Sequence, residues 1–235
     1  SEFDQLYQDA ISSNFKLSIR DITKEYLDIN SFYLLKKYRF QLTVRSPEEA
    51  VLSTHKVSEL AGQEYASLRN IANRIEKSGL LKYAAPPFQN YPNLQELFNR
   101  WLVTQGAKYG SDRKTIDLQY LKFFIEKHNE RFFSRIVHYK DCLCGIALIE
   151  IVRAGFGVYI MNKCLNGVLF QGDIYGVSGL SKYLYYRTCK ELTEHNIVFV
   201  NVGSMGIEEG ARKSKKELRP IGKYLESYQI NYASI

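Results

Sequence analysis

No stretch of this chain approaches the roughly 18–20 consecutive apolar residues that a bilayer-crossing helix requires. Its four cysteines (Cys142, Cys144, Cys164, Cys189) form no CxxC pair, and His55, His128, His138 and His195 stand singly. That excludes a disulfide framework and supplies no zinc motif, so buried free thiols, a reduced compartment and no metal are expected. Prolines number five, and three of them crowd into "AAPPFQNYPN" (84–93), the clearest internal linker. Low-complexity tracts and tandem repeats are missing, and the first residues show no charged region leading into an apolar one, so no secretory leader is expected. The chain opens on "SEF" without an initiating Met, so an excised piece of a longer protein is also expected.

What the chain does have is positive charge and tyrosine. Lys and Arg number 32 against 25 Asp and Glu, a formal charge of +7, which favours nucleic acid, phosphorylated ligands or an acidic membrane surface as partners. Hydrophobic residues at 45% over 235 positions suffice for a substantial core, in one large domain or two small ones. Of the 18 tyrosines, the run "YLYY" (183–186) covers several helix faces and is expected to pack rather than to stack on bases.

Periodicity places the elements. "FKLSI" and "YRFQLTVR" alternate as strands, with a helix between them. Ser46, Pro47, Glu48 and Glu49 read as a cap, a first helical position and an acidic first turn, predicting a helix from 46 onward. "EYASLRNIANRIEKSG" predicts another helix stopped by Gly79. After the linker come two helical stretches, then three strand-like segments beginning at "SRIVHYKD", "CLCGIALIEIVR" and "FGVYIMNKCL". "NGVLFQGDIYGVSG" reads as a loop, followed by helix, strand, helix and strand to the end.

The loop "YGVSGLS" (175–181) leaves a strand and opens a helix, which suits a phosphate: glycines permit close approach, and free amides at the helix start point outward. Near the end, "NVGSMGIEEGARKSKKELRP" gathers Arg212, Lys213, Lys215 and Lys216, which span a full helical turn and cannot all face one ligand. Arg212 and Lys216 share a face at i, i+4. Asp173, Tyr175, Glu208 and Glu209 are the nearby groups for proton transfer, although acidic residues in a first turn also answer the helix dipole. Glu150, inside "GIALIEI", projects either into the same cleft or onto the strand's polar face. Asn201 ends a strand beside the expected site.

From residue 94 the element order resembles the GNAT acyltransferase fold, an α+β arrangement in which the loop after the fourth strand holds the pyrophosphate of coenzyme A. The chain offers Gly176, Gly179 and Ser181 there, without that family's basic or amide residue and final small residue. A closer resemblance lies in "LAGQEYASLRNIANRIEK" (60–77) and in Asn201, Gly206, Glu208 or Glu209, Gly210, Arg212, Lys213, Lys215 and Pro220. These are similar to two segments of the phosphatidylglycerol lysyltransferase C-terminal domain family, with Ala211 and Ser214 where Leu and Ala are usual.

The resemblance implies a mixed, mostly antiparallel sheet flanked by helices. Residues 1–57 would be the C-terminal part of a first GNAT-like lobe, 58–83 a connecting helix, and 84–235 a second, complete lobe. It implies transfer of an aminoacyl group from aminoacyl-tRNA to a hydroxyl or amine acceptor: a lipid headgroup, a peptide or a small molecule. An acyl-CoA-dependent N-acyltransferase and a non-catalytic GNAT-like binding module stay open. No cofactor is implied beyond the co-substrate, tRNA is the expected partner, and the expected location is the cytoplasm, extending to peripheral contact at the inner membrane face. Carried onto this chain, the catalytic candidates are Asp173, Tyr175, Asn201 and Glu208. The donor-binding candidates are Gly176, Ser178, Gly179, Ser181, Arg212, Lys213 and Lys216, and the tRNA contacts Arg69, Arg74 and Lys215.

Overall fold

Apolar segments from 132 to 164 build three long strands, the middle one buried on both faces from Leu143 to Ile149, and everything else is arranged around them. The computed structural model describes residue 8 and residues 18–23, 40–86, 91–105, 131–170, 172–204, 209–221 and 225–232. In chain order these form β1 (Ser18–Thr23), β2 (Phe40–Ser53), α1 (Thr54–Glu59), a 3-10 turn (Gln63–Tyr65), α2 (Ala66–Ser78), β3 (Leu81–Ala84) and α3 (Tyr91–Gln105). There follow β4 (Phe132–Tyr139), β5 (Cys142–Arg153), β6 (Phe156–Cys164), β7 (Asn166–Phe170), β8 (Asp173–Gly176), α4 (Leu180–Glu194), β9 (Phe199–Ser204), α5 (Glu209–Lys216) and β10 (Leu225–Tyr232).

Eight strands form one sheet in the order β1-β10-β2-β9-β6-β5-β4-β3, while β7 and β8 make a separate hairpin. Every neighbouring pair is antiparallel except β6 and β9. The β4–β5 meander closes through Lys140 and Asp141, both at positive φ, the geometry of a two-residue hairpin turn that follows the strand twist. α2 ends at Gly79 in the left-handed conformation, as its sequence predicts.

Helices cover both faces. Tyr159 on β6 hydrogen bonds to Thr188, so α4 lies on that face, together with α1 and α2. α3 buries Leu94, Leu97, Phe98 and Trp101, an i, i+3, i+4, i+7 stripe, on the opposite face, where the Lys163 ammonium sits 3.8 Å from the Trp101 ring centroid. A bulge separates the two faces along β6: Ile149 pairs with Tyr159 and Leu148 with Met161, leaving Ile160 as the extra residue.

Several expectations are corrected. Residues 46–53 are not a helix but the second half of β2. Pro47 falls where the β2–β10 register slips between Ser46 and Glu49, a bulge that tolerates a missing donor. The helix starts seven residues later, with Ser53 as its cap accepting from the Lys56 amide at 3.4 Å. The expected loop at 166–179 contains the β7–β8 hairpin. Of the helix expected at 21–38, residues 21–23 belong to β1 instead, and of the one expected at 114–132, Arg131 is a turn residue and Phe132 opens β4; the rest of both lies outside the described residues.

Three of the four thiols are buried. Burial pushes Cys144 up to about 12 and also raises Cys164 and Cys189, while Cys142 is exposed. A disulfide-exchange reagent should therefore titrate one thiol in the native protein and none after Cys142→Ser. Two or more fast-reacting thiols would contradict this packing.

Candidate functional site

β6 and β9 run side by side for three rungs only, Phe156↔Phe199, Gly157↔Val200 and Val158↔Asn201. Beyond Val158 no further rung joins them among the described residues, although β6 continues to Cys164 and β9 to Ser204. Two central strands thus part at Asn201, and beyond that point β5 stays paired with β6, through the bulge at Ile160. The last rung continues across five strands, Phe132–Glu150–Val158–Asn201–Val51, with these side chains on the α3 face.

Asn201 is 8% exposed and hydrogen-bonded through both ends of its amide. Its Nδ2 donates to Glu49 Oε2 at 2.5 Å, and its Oδ1 accepts the Gly203 amide at 2.7 Å. Glu49 is equally buried, on β2, at the rung with Ser204 just before that register slips. Sequence reasoning missed Glu49, having assigned it to a helical first turn. It also left out Lys163, buried against Trp101. Glu150 stands on the same face, bridged to Arg131 at 3.0 Å.

The turn before α4 is held from three sides. Gly176 packs so tightly on Leu165 that a Cβ there would lie 1.7 Å from its carbonyl oxygen, and a Cβ on Gly179 would meet Ile71 of α2 at 2.8 Å. Arg74 of α2 donates to the Ser178 carbonyl at 2.6 Å. The Ser181 amide is accepted by Asn166 Oδ1 at 2.9 Å and the Leu180 amide by Val177 O at 3.0 Å. Two of the donors that the sequence assigns to a phosphate are therefore already occupied by the protein. Asp173 is exposed at the start of β8, and Tyr175 is half-buried with the Arg100 guanidinium 4.4 Å from its ring centroid.

The basic helix divides as its spacing implies. Lys215 turns inward and donates to Val202 O at 2.7 Å, at the parting end of β9, while Lys213 and Lys216 are exposed and Arg212 is half-buried. Lys182 of α4 bridges Glu217 just beyond α5. Arg69 donates to the carbonyls of Leu60 and Gly62, tying down the segment before α2. Glu208 lies outside the described residues. An open cleft of about 460 Å³, lined by Lys56, Glu59, Glu64, Tyr65 and Arg219 among others, shares no lining residue with this site. Among the described residues no group of three or more His, Cys, Asp or Glu could hold a metal, and no helix is long and apolar enough to cross a membrane.

No protein-family model matches the chain, and no curated protein matches it in sequence. Solved structures do match in fold. A conserved protein of unknown function from Bacteroides thetaiotaomicron is 15% identical, over 98% of this chain and 74% of its own, with a TM-score of 0.71. L-PGS from Bacillus licheniformis is 14% identical, over 97% and 71%, at 0.63. The C-terminal DUF2156 domain of a putative lysylphosphatidylglycerol synthetase from Agrobacterium fabrum is 12% identical, over 98% and 72%, at 0.62. The fold is GNAT-like, shared also with a tandem GNAT protein of the clavulanic acid biosynthesis pathway.

Proposed function

We propose that this chain is an acyltransferase that moves an aminoacyl group from aminoacyl-tRNA to a hydroxyl or amine acceptor. The observation that carries this reading is the parting of β6 and β9 at Asn201, in a fold matched over nearly its whole length by L-PGS. A cleft between splayed strands exposes backbone donors and acceptors that can hold an ester carbonyl, and a transfer reaction gains most from such fixed placement. Residues 84–235 form the transferase lobe in this reading, with β2 completing its sheet from the preceding segment.

Asn201 shapes the floor of the cleft, and Asp173 and Tyr175 stand at the hairpin before the helix. The turn of Gly176, Ser178, Gly179 and Ser181 supports the donor's end chiefly as a rigid wall, because Asn166 and Val177 already occupy two of its amides. Charge for the donor's phosphates then comes from Arg212, Lys213 and Lys216. Arg69 and Arg74 anchor the α2 side through the carbonyls of Leu60, Gly62 and Ser178, and Lys215 fixes α5 to β9. This occupancy also weighs against the acyl-CoA reading, which needs those amides for a pyrophosphate.

The test is donor choice. Aminoacyl-tRNA should raise the melting temperature and pass labelled amino acid to phosphatidylglycerol vesicles or to an added amine, while coenzyme A does neither. Arg212→Ala, Lys213→Ala and Lys216→Ala combined should weaken tRNA binding. They should also flatten its salt dependence by about 0.7–0.9 in log–log slope for each phosphate no longer neutralised. Stabilisation by coenzyme A alone would replace this reading with the acyl-CoA one.

A further inference from the structure

Glu49 is the least expected group in the molecule. It sits on a central strand, 8% exposed, and the Asn201 amide is the one hydrogen-bond donor that reaches it among the described residues. No described cation pairs with it, whereas Glu150 on the same face has Arg131 and Glu191 on the other face has Arg135. Burying a carboxylate against a single neutral amide is costly, and an apolar side chain would complete that strand at lower cost. That group stands on the strand flanking β9, on the side away from β6, and is joined to the point where β6 and β9 part through Asn201.

The geometry points to Glu49 as the proton acceptor of the transfer step, with Asn201 as its positioning partner. This rests on the transferase reading above. As an acceptor hydroxyl attacks the ester carbonyl carbon, its oxygen supplies the electron pair of the new C–O bond and its proton passes to the Glu49 carboxylate. Collapse of the tetrahedral species breaks the bond between the carbonyl carbon and the ribose oxygen, and Glu49 returns the proton to that oxygen. Asn201 fixes one carboxylate oxygen through Nδ2 and is itself held by the Gly203 amide, so the second oxygen is left to meet the acceptor. The other acidic candidates are less well placed. Asp173 lies exposed on the hairpin, and Glu150 is bound to a guanidinium.

The experiment compares two acceptors in single turnover with labelled aminoacyl-tRNA. Phosphatidylglycerol vesicles present a hydroxyl that must lose its proton in the transition state. Hydroxylamine attacks as a neutral amine with far less need of a base, and its uncatalysed reaction is subtracted. Glu49→Gln should slow transfer to the lipid hydroxyl by about 100-fold or more. Transfer to hydroxylamine should fall less than about threefold, with tRNA affinity unchanged. Equal loss toward both acceptors would reduce Glu49 to a structural role, and retained transfer to the hydroxyl would remove it from the chemistry. Should Glu49→Gln fail to fold, Glu49→Asp keeps the charge on a shorter arm. It should show the same selective loss, about tenfold or more, and wild-type behaviour would overturn the assignment. A wild-type protein inert toward both acceptors with every donor would fail the transferase reading itself, and this inference with it.

Discussion

Asn201→Asp should destabilise the fold by about 3–5 kcal/mol, the largest effect expected of any single substitution at the site. The change is nearly isosteric, but it sets a second carboxylate against the buried Glu49 carboxylate, where an amide now donates at 2.5 Å. Two carboxylates at that distance repel, and the one printed donor between them is gone. Exchanging the partners, with Glu49→Gln added to Asn201→Asp, restores one donor and one carboxylate. The double variant should recover most of the loss in urea denaturation. A double-mutant cycle with no coupling would show that the two side chains do not depend on one another.

Gly176→Ala carries the second large expectation, a loss of about 3 kcal/mol or more, or a fall of roughly 6–12 °C in melting temperature for a chain of this size. Its φ is +71°, which a side chain resists, and the added Cβ would fall 1.7 Å from the Leu165 carbonyl oxygen, a backbone atom that cannot swing aside. Gly172→Ala is the matched control. Its φ of +89° is also positive, but no atom of the described residues lies within 4 Å of the added carbon, so strain alone should cost about 1 kcal/mol. Equal effects at the two positions would mean that the turn before α4 is not seated on Leu165 as described.

The parts of the fold legible in the sequence are those whose signals are local. Leu68, Ala72 and Ile75 recur at helical spacing and Gly79 supplies the stop, so α2 could be read directly. The strand-like segments beginning at Ser134, Cys142 and Phe156 gave β4, β5 and β6 in order, and the apolar run before Asn201 gave β9. Residues 46–53 misled because Ser-Pro-Glu-Glu imitates a helix start, while the pairing that makes them a strand comes from residues 199–204 and 225–232, far away in sequence. The same distance hid Glu49. Its partner lies 152 positions on, and the second of two adjacent Glu residues after a Pro gives no hint of burial. The phosphate-like turn was legible as a turn, but its occupied amides were not, because Asn166 reaches Ser181 only once the β7–β8 hairpin folds back. Among the basic residues, spacing correctly required that some turn away. It did not show that Lys215 turns inward to the end of β9.

The most direct measurement is photolabelling with an aminoacyl-tRNA analogue whose amino acid is amide-linked and carries a diazirine on its side chain. If the parting of β6 and β9 is the transfer cleft, label should appear in peptides spanning 156–164 and 199–204, compete with unmodified aminoacyl-tRNA, and be insensitive to coenzyme A. Label confined to the Lys56–Arg219 cleft, or spread over the surface without competition, would contradict that placement.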